Sequence, residues 1–206
     1  KKENEKLEKE KQKWKDANNI NIKEIGEDDI AEIISNWTGI PAKKISQDEN
    51  ERLKQLEEIK GDIENNKYSV HELLTLASVA HLEVRSKTDR PKVVSVFINR
   101  LKKGMSWGSD ITTRYSIKLD DTRALTKSEY DTINEYNTRG THLAGKMPAG
   151  PICTITIDTI KAAINPEETE YLYFISRIKT GETFFYKYSS DFEKKKAELS
   201  KENNGY

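Results

Sequence analysis

The sequence predicts an α+β fold: a mainly helical domain with a small β-hairpin, preceded by a charged helical segment. Three observations carry this. Residues 70–84 (VHELLTLASVAHLEV) form a long apolar helix pattern. Two aromatic-rich runs, Tyr171–Ile175 and Glu182–Tyr186, flank Lys179-Thr180-Gly181, which reads as a hairpin. Residues 1–16 (KKENEKLEKEKQKWKD) are almost wholly charged. The expected organisation is a helical segment over residues 1–62 and a second domain over 63–206.

Leu7 and Trp14 lie one heptad apart in the charged run, so it reads as a solvated helix or the end of a coiled coil. A short amphipathic helix follows. Glu27, Asp28 and Asp29 suit its N-terminal dipole, Ile30, Ile33, Ile34 and Trp37 form its apolar face, and Gly39 with Pro41 ends it. A further helix pattern runs through residues 51–58. In the second domain, Thr88-Asp89-Arg90-Pro91 starts a helix over 91–103, with Pro91 near its first position and Gly104 as its stop. Val93, Val94, Phe97 and Leu101 share its buried face. Thr126-Lys127-Ser128-Glu129 is a capping box. Thr156–Asn165 reads as a helix ended by Pro166, and Ser190-Asp191-Phe192-Glu193 caps a charged terminal helix. There are no internal repeats.

Composition excludes several function classes. Lys+Arg and Asp+Glu both number 35, so no net charge draws the chain to nucleic acid or anionic membrane. Hydrophobic and charged residues each make up 34%, which assigns part of the chain to solvated helix and not to core. Cys153 is the only cysteine, so neither an intrachain disulfide nor a CxxC metal cage can form. No apolar run approaches the roughly 18 residues that a membrane-spanning helix needs. Gly140-x-x-x-x-Gly145-Lys146 resembles a phosphate-binding loop, but Met147 stands where Ser or Thr should bind magnesium. Gly150-Pro151 would also stop a following helix, so no nucleotide binding is expected.

Glu83 is the leading catalytic candidate. On a helix it shares a face with Leu76, Val79 and Ala80, and a carboxyl on an apolar stripe is desolvated. Its pKa rises, so it can donate a proton near neutral pH and then take one back. The alternative is a helix-end glutamate paired with Arg85 or Lys87. Glu72, at the helix start, is the weaker candidate because it can serve the dipole. His81-Leu82-Glu83 invites a zinc reading, but Pro151-Ile152-Cys153 lacks the second cysteine, and His71 and His142 lack ligand spacing. Neither a metal nor a cofactor is expected, and His81 is expected to be a packed or supporting histidine.

Two resemblances sharpen the picture. Residues from about 5 to 60, including EDDIAEIISNWTGIPAKKISQDENERLKQLEE, resemble the middle-domain return arm and the junction between the ATPase modules of Clp-type disaggregases, ClpC-type chains above all. The motor elements of that family would lie outside this segment, which by resemblance would be a Clp-associated fragment without ATPase activity. Residues from about 66 to 200 resemble the YceG-like family of endolytic murein transglycosylases. The likeness starts with LLTLASVAHLEVRSKTDRPKVVSVFINRLKKGM and continues through Ser109-Asp110, Glu135–Thr138, Met147–Ile152, Ile160–Pro166 and Tyr171–Phe174.

The family motif A-S-x-x-E-x-E falls on Ala77–Glu83. Its catalytic second glutamate coincides with Glu83, and His81 replaces the first. The resemblance implies non-hydrolytic cleavage of MurNAc–GlcNAc β-1,4 bonds in peptidoglycan glycan strands, leaving 1,6-anhydroMurNAc ends. It also implies a place on the extracytoplasmic face of the bacterial membrane, with cell-wall synthesis proteins as possible partners. Asn99, Asp110, Tyr136, Asn137, Lys146, Pro148 and Gly150 are the substrate-binding candidates, with Ser78 and His81 behind Glu83. Against these roles, Asn99 could crosslink helices, Asp110 could cap the helix after it, and Tyr136 could be core. The sequence departs from the family at Gly108 (usually glutamine), at Lys146-Met147-Pro148-Ala149-Gly150 (usually Gly-Leu-Pro-Pro-Gly), and near Asp191 (usually histidine). A LysM-like subdomain and a membrane helix are expected by resemblance but not found. The Clp-like segment beside a cell-wall-type domain points to a fusion or to an artificially joined sequence. A non-catalytic glycan- or partner-binding module of the same fold is the alternative.

Overall fold

The computed structural model describes residues 2–17, 26–38, 42–120 and 123–202. The chain divides into two compact units, Lys1–Leu53 and Lys54–Tyr206. The first contains α1 (Lys2–Ala17), α2 (Glu27–Thr38) and the start of α3 (Ala42–Glu64). Ile30, Ile33, Ile34 and Trp37 of α2 are exposed, Trp37 to 87%. The helix stop expected at Gly39–Pro41 lies outside the described residues, as does the Trp14 side chain. No helix among the described residues is long and apolar enough to cross a membrane.

The second unit has the expected α+β character. It comprises the end of α3, then α4 (Val70–Glu83), α5 (Arg90–Lys102), α6 (Asp110–Ser116), α7 (Lys127–Tyr130), a 3₁₀ turn at Thr141–Leu143, α8 (Ile157–Ile164), β1 (Tyr173–Ser176), β2 (Thr183–Tyr186) and α9 (Ser189–Glu202). Local chemistry sets these limits. Ser69 and Glu72 form a reciprocal capping box that starts α4, so Glu72 serves the helix end. Pro91 sits in the first turn of α5, where its missing N–H costs nothing. Thr126 and Glu129 cap α7 in the same reciprocal way.

The core lies where α4 packs against α5 and α8. Leu76, Val79, Val93, Val94 and Phe97 are buried there, together with Ile59 of α3 and Ile164 of α8. Trp107 stacks on Phe97 with ring centroids 4.5 Å apart, and Phe174 meets Phe97 edge-on at 5.9 Å. The two strands pair antiparallel, Tyr173 opposite Tyr186 and Ser176 opposite Thr183, and α9 covers them.

Two loops cross closely at Gly104 and Gly145. Both residues have positive φ, and a Cβ on Gly145 would sit 3.2 Å from the Gly104 Cα, whereas a Cβ on Gly104 would meet nothing within 4 Å. Gly145→Ala therefore combines backbone strain with a tight approach to the Gly104 backbone, and Gly104→Ala carries strain alone. The expected cost is ~1 kcal/mol for Gly104→Ala and clearly more for Gly145→Ala. Thermal melts that rank the two equally would contradict the close approach.

Candidate active site

Glu83 is the last residue of α4, and Val84 after it adopts extended backbone. The helix thus stops just where its carboxyl turns toward the loop that opens α6. Ser109 donates its hydroxyl to Glu83 Oε1. Ser109 is itself 4% exposed and is the N-cap of α6, accepting from the Thr112 amide. Asp110 is therefore the first residue inside α6 and not its cap.

Glu83 keeps some surface in solvent, but burial of its carboxyl dominates its acidity. Desolvation raises its pKa to about 6. The Ser109 hydrogen bond opposes the rise, the charge of Asp110 adds to it, and Arg139 and Arg100 pull it down. Arg139 donates to Asp110 Oδ1 from both Nε and Nη2 at 2.7 Å, and the Tyr130 hydroxyl lies 3.5 Å from Asp110 Oδ2. Arg139 also lies over the Tyr130 ring. A cleft of ≈ 500 Å³, lined by Tyr130, Ile133, Arg139, Gly140 and His142 among others, opens beside this pair.

A larger groove of ≈ 780 Å³ is lined by Tyr68, Asn99, Lys102 and residues 163–170, and by none of the groups around Glu83. The smaller cleft is the one that contains Tyr130 and Arg139, the two partners of Asp110, and of these Arg139 acts on the acid by its charge.

The other sequence candidates separate into two sets. Asp110 stands beside the acid. Asn137 is fully buried and all its bonding capacity is used: Nδ2 donates to the carbonyls of Tyr130 and Thr132, and Oδ1 accepts from Thr113 and from the Arg139 amide. It shapes the loop that presents Arg139 and has no group left for a sugar. Asn99 donates to the carbonyls of Thr169 and Tyr171, a crosslink within the fold. Tyr136 packs against Tyr115 and the core.

The loop carrying Lys146, Pro148 and Gly150 meets α4 far from its C-terminus. His71 Nε2 lies 2.7 Å from the Ala149 carbonyl, and Ser78 accepts from the Ile152 amide while donating to the Thr75 carbonyl. Pro148 and Gly150 are buried and Lys146 is exposed. After Lys146 no helix begins before Ile157, so the loop lacks the helix N-terminus that would receive a phosphate. His81 points away from Glu83: its Nδ1 lies 3.1 Å from the Thr159 hydroxyl of α8, and burial with the Arg90 charge lowers its pKa. Among the described residues no group of three or more His, Cys, Asp or Glu side chains could hold a metal.

Three neighbours of the acid carry no sequence signal of their own: Ser109 as its donor, and Arg139 and Arg100 as its nearby cations. The Ser109-Asp110 pair stands in the quoted likeness, but nothing in its pattern marks the serine as the contact.

Comparison with known proteins gives the family of the chain. The YceG-like family model matches residues 32–198. The chain belongs to the YceG-like family. It is 37% identical over 151 residues to the endolytic murein transglycosylase of Bacillus subtilis, covering 72% of this chain and 40% of that protein. It is 29% identical over 143 residues to the enzyme of that name from Streptococcus pneumoniae, covering 66% and 25%. The crystal structure of a YceG-like protein from Listeria monocytogenes aligns with a TM-score of 0.62 at 31% identity, over 68% of this chain and 44% of that one. The chain thus spans two fifths or less of these curated transglycosylases. A separate match, 48% identical over 48 residues, links 23% of the chain to 6% of the Staphylococcus aureus Clp protease ATP-binding subunit ClpC.

Proposed function

We propose that residues 63–206 form a peptidoglycan lytic transglycosylase that cleaves MurNAc–GlcNAc β-1,4 bonds and leaves 1,6-anhydroMurNAc ends. The observation that carries this is the acid: a desolvated carboxyl with a pKa of about 6, in a chain of the family whose relatives bear that activity in their names.

Glu83 performs both proton transfers. In its neutral form it protonates the glycosidic oxygen as the bond to MurNAc C1 breaks, and the bonding electron pair leaves with that oxygen. The MurNAc C6 hydroxyl then closes on C1 and gives its proton to the Glu83 carboxylate, which restores the acid. No water enters, so the second carboxylate that glycoside hydrolysis requires for activating water or forming an ester is unnecessary. Asp110, bridged to Arg139, supports the acid by its charge. Arg139 and Tyr130 offer a cation and a ring edge to the glycan in the adjoining cleft, and the exposed Lys146 is a candidate contact further along the strand. Such a substrate implies work on the extracytoplasmic face of the membrane.

Digestion of purified peptidoglycan tests the proposal. Mass spectrometry should find products lighter by one water than those of hydrolysis, carrying 1,6-anhydroMurNAc ends. Reducing ends alone, or binding to glycan without any product, would refute it.

A further inference from the structure

Around Glu83 three buried hydroxyls, those of Ser109, Thr112 and Thr138, belong to one connected set of hydrogen bonds. Each hydroxyl has one proton to donate and two lone pairs to accept with. Thr112 Oγ1 donates to the Ser109 carbonyl at 2.8 Å. Its single proton being used, it must accept from Thr138 Oγ1 at 2.7 Å, as it does from the Thr138 amide at 3.2 Å. The Thr138 hydroxyl thus faces Thr112 with its proton and accepts the Ser109 amide at 3.1 Å with its oxygen. Ser109 Oγ accepts from the Thr112 amide and donates to Glu83 Oε1. Thr112 and Thr138 are fully buried and Ser109 nearly so, so water does not compete for these bonds.

We propose that Ser109, its backbone held by the Thr112 and Thr138 hydroxyls, is a positioning residue whose hydroxyl donates to Glu83 Oε1 and so keeps the exchangeable proton of Glu83 on Oε2. This rests on the transglycosylase reading only for the meaning of that proton. An Oε1 that always accepts from Ser109 cannot also carry hydrogen toward it. When Glu83 is neutral its proton is on the other oxygen, and proton delivery and recovery use that one atom. The carboxyl does not need to rotate between the two half-reactions. The charged groups facing Glu83 are Asp110 on α6, Arg139 on the following loop and Arg100 on α5. None of them fixes a proton to one oxygen as a hydroxyl donor does.

Two measurements on Ser109→Ala, Ser109→Gly and Ser109→Thr test this. Glycine is included because it caps a helix better than alanine does, which separates loss of the donor from loss of the cap. Carbon-13 NMR titration of the Glu83 carboxyl needs no substrate. Loss of the donor in the Ala and Gly variants is expected to raise the pKa by on the order of one unit, and Thr, which keeps the hydroxyl, should return it toward wild type. In peptidoglycan digestion, kcat should fall in Ala and Gly with KM unchanged, and the alkaline limb of the pH profile should move up with the NMR value. Thr138→Val, which touches no atom of Glu83, should shift both in the same direction by less. An unchanged Glu83 pKa in Ala and Gly, or a change confined to KM, overturns the assignment. A wild-type protein that yields no anhydro ends would refute the transglycosylase reading, while the NMR titration would still decide the role of Ser109.

Discussion

Glu83→Gln is expected to lower formation of 1,6-anhydroMurNAc ends by at least ~10²–10⁴-fold, the scale of a lost general acid. The true loss should lie at the upper end, since one group serves both proton transfers and the amide can do neither. Two further results make this more than a dead variant. First, wild-type kcat/KM should be level below about pH 6 and fall about tenfold per unit above it, because only the neutral acid can protonate the leaving oxygen. At pH 7 roughly a tenth of the molecules hold that proton. Second, the variant should be the more stable protein at neutral pH. The folded state raises the Glu83 pKa from 4.5 to about 6, so it binds the proton more tightly than the unfolded chain does. The contribution of Glu83 to stability is therefore greatest below pH 4.5, falls as pH rises through 6, and then levels off. The difference is at most ~2 kcal/mol, because the residue is not wholly enclosed. Glutamine does not ionise and escapes that loss. Melting curves at pH 4 and pH 7 should show the gap between variant and wild type widening at pH 7. A variant that keeps wild-type product yield would remove Glu83 from the chemistry.

Much of this fold was readable where a local signal was strong. The helices over 70–83 and 90–102 combine apolar periodicity with a recognisable start, and their limits fall within a residue or so of the pattern. The hairpin was visible from its aromatic runs. Its ends were less so: pairing runs from Tyr173 to Ser176 and from Thr183 to Tyr186, although the first aromatic run starts at Tyr171 and stops at Ile175. The helix α6 has only seven residues, and its β-branched Ile111, Thr112 and Thr113 favour it little. It is held by buried hydroxyl contacts to residues 137 and 138 that no local pattern contains.

The same division applies to the site. An apolar stripe on α4 marks Glu83, since burial of one helix face is a periodic property. The identity of its hydrogen-bond donor is a tertiary fact: Ser109 lies 26 positions away. Residue type also proved ambiguous for the amides. Asn99 and Asn137 are the kind of side chains that hold sugar hydroxyls, yet each is used on backbone carbonyls of its own chain. Only the partner carbonyls, which the sequence does not position, distinguish the two uses.

Arg100→Met is expected to produce the largest loss of stability outside the hydrophobic core, on the order of 3 kcal/mol. The guanidinium is a three-way clip. Nε donates to the Leu172 carbonyl at 2.6 Å, and Nη1 donates to the carbonyls of Trp107 at 2.6 Å and Ser106 at 3.2 Å. It also lies over the Tyr173 ring, 5.1 Å from its centroid. Methionine fills much of the volume but leaves carbonyls around a buried Trp107 without their charged donor. Lysine should rescue little, because a compact ammonium cannot span these acceptors as a planar fork does. Gly108 belongs to the same device. It has a φ of +68°, and a Cβ there would stand 2.9 Å from Arg100 Nη1. A side chain there would adopt a strained backbone conformation and would require the end of Arg100 to shift. Since Trp107 and Gly108 immediately precede Ser109, loosening the clip should also blur the donor geometry at Glu83. Denaturant unfolding should show Arg100→Met and Arg100→Lys both displaced well below wild type, with kcat reduced further than the lost fraction of folded protein explains. Unchanged unfolding midpoints would mean that the three carbonyls are satisfied without Arg100, and that the loop before Ser109 is held by its other contacts, the Trp107–Phe97 stack and the Gly108 amide bond to the Thr138 carbonyl among them.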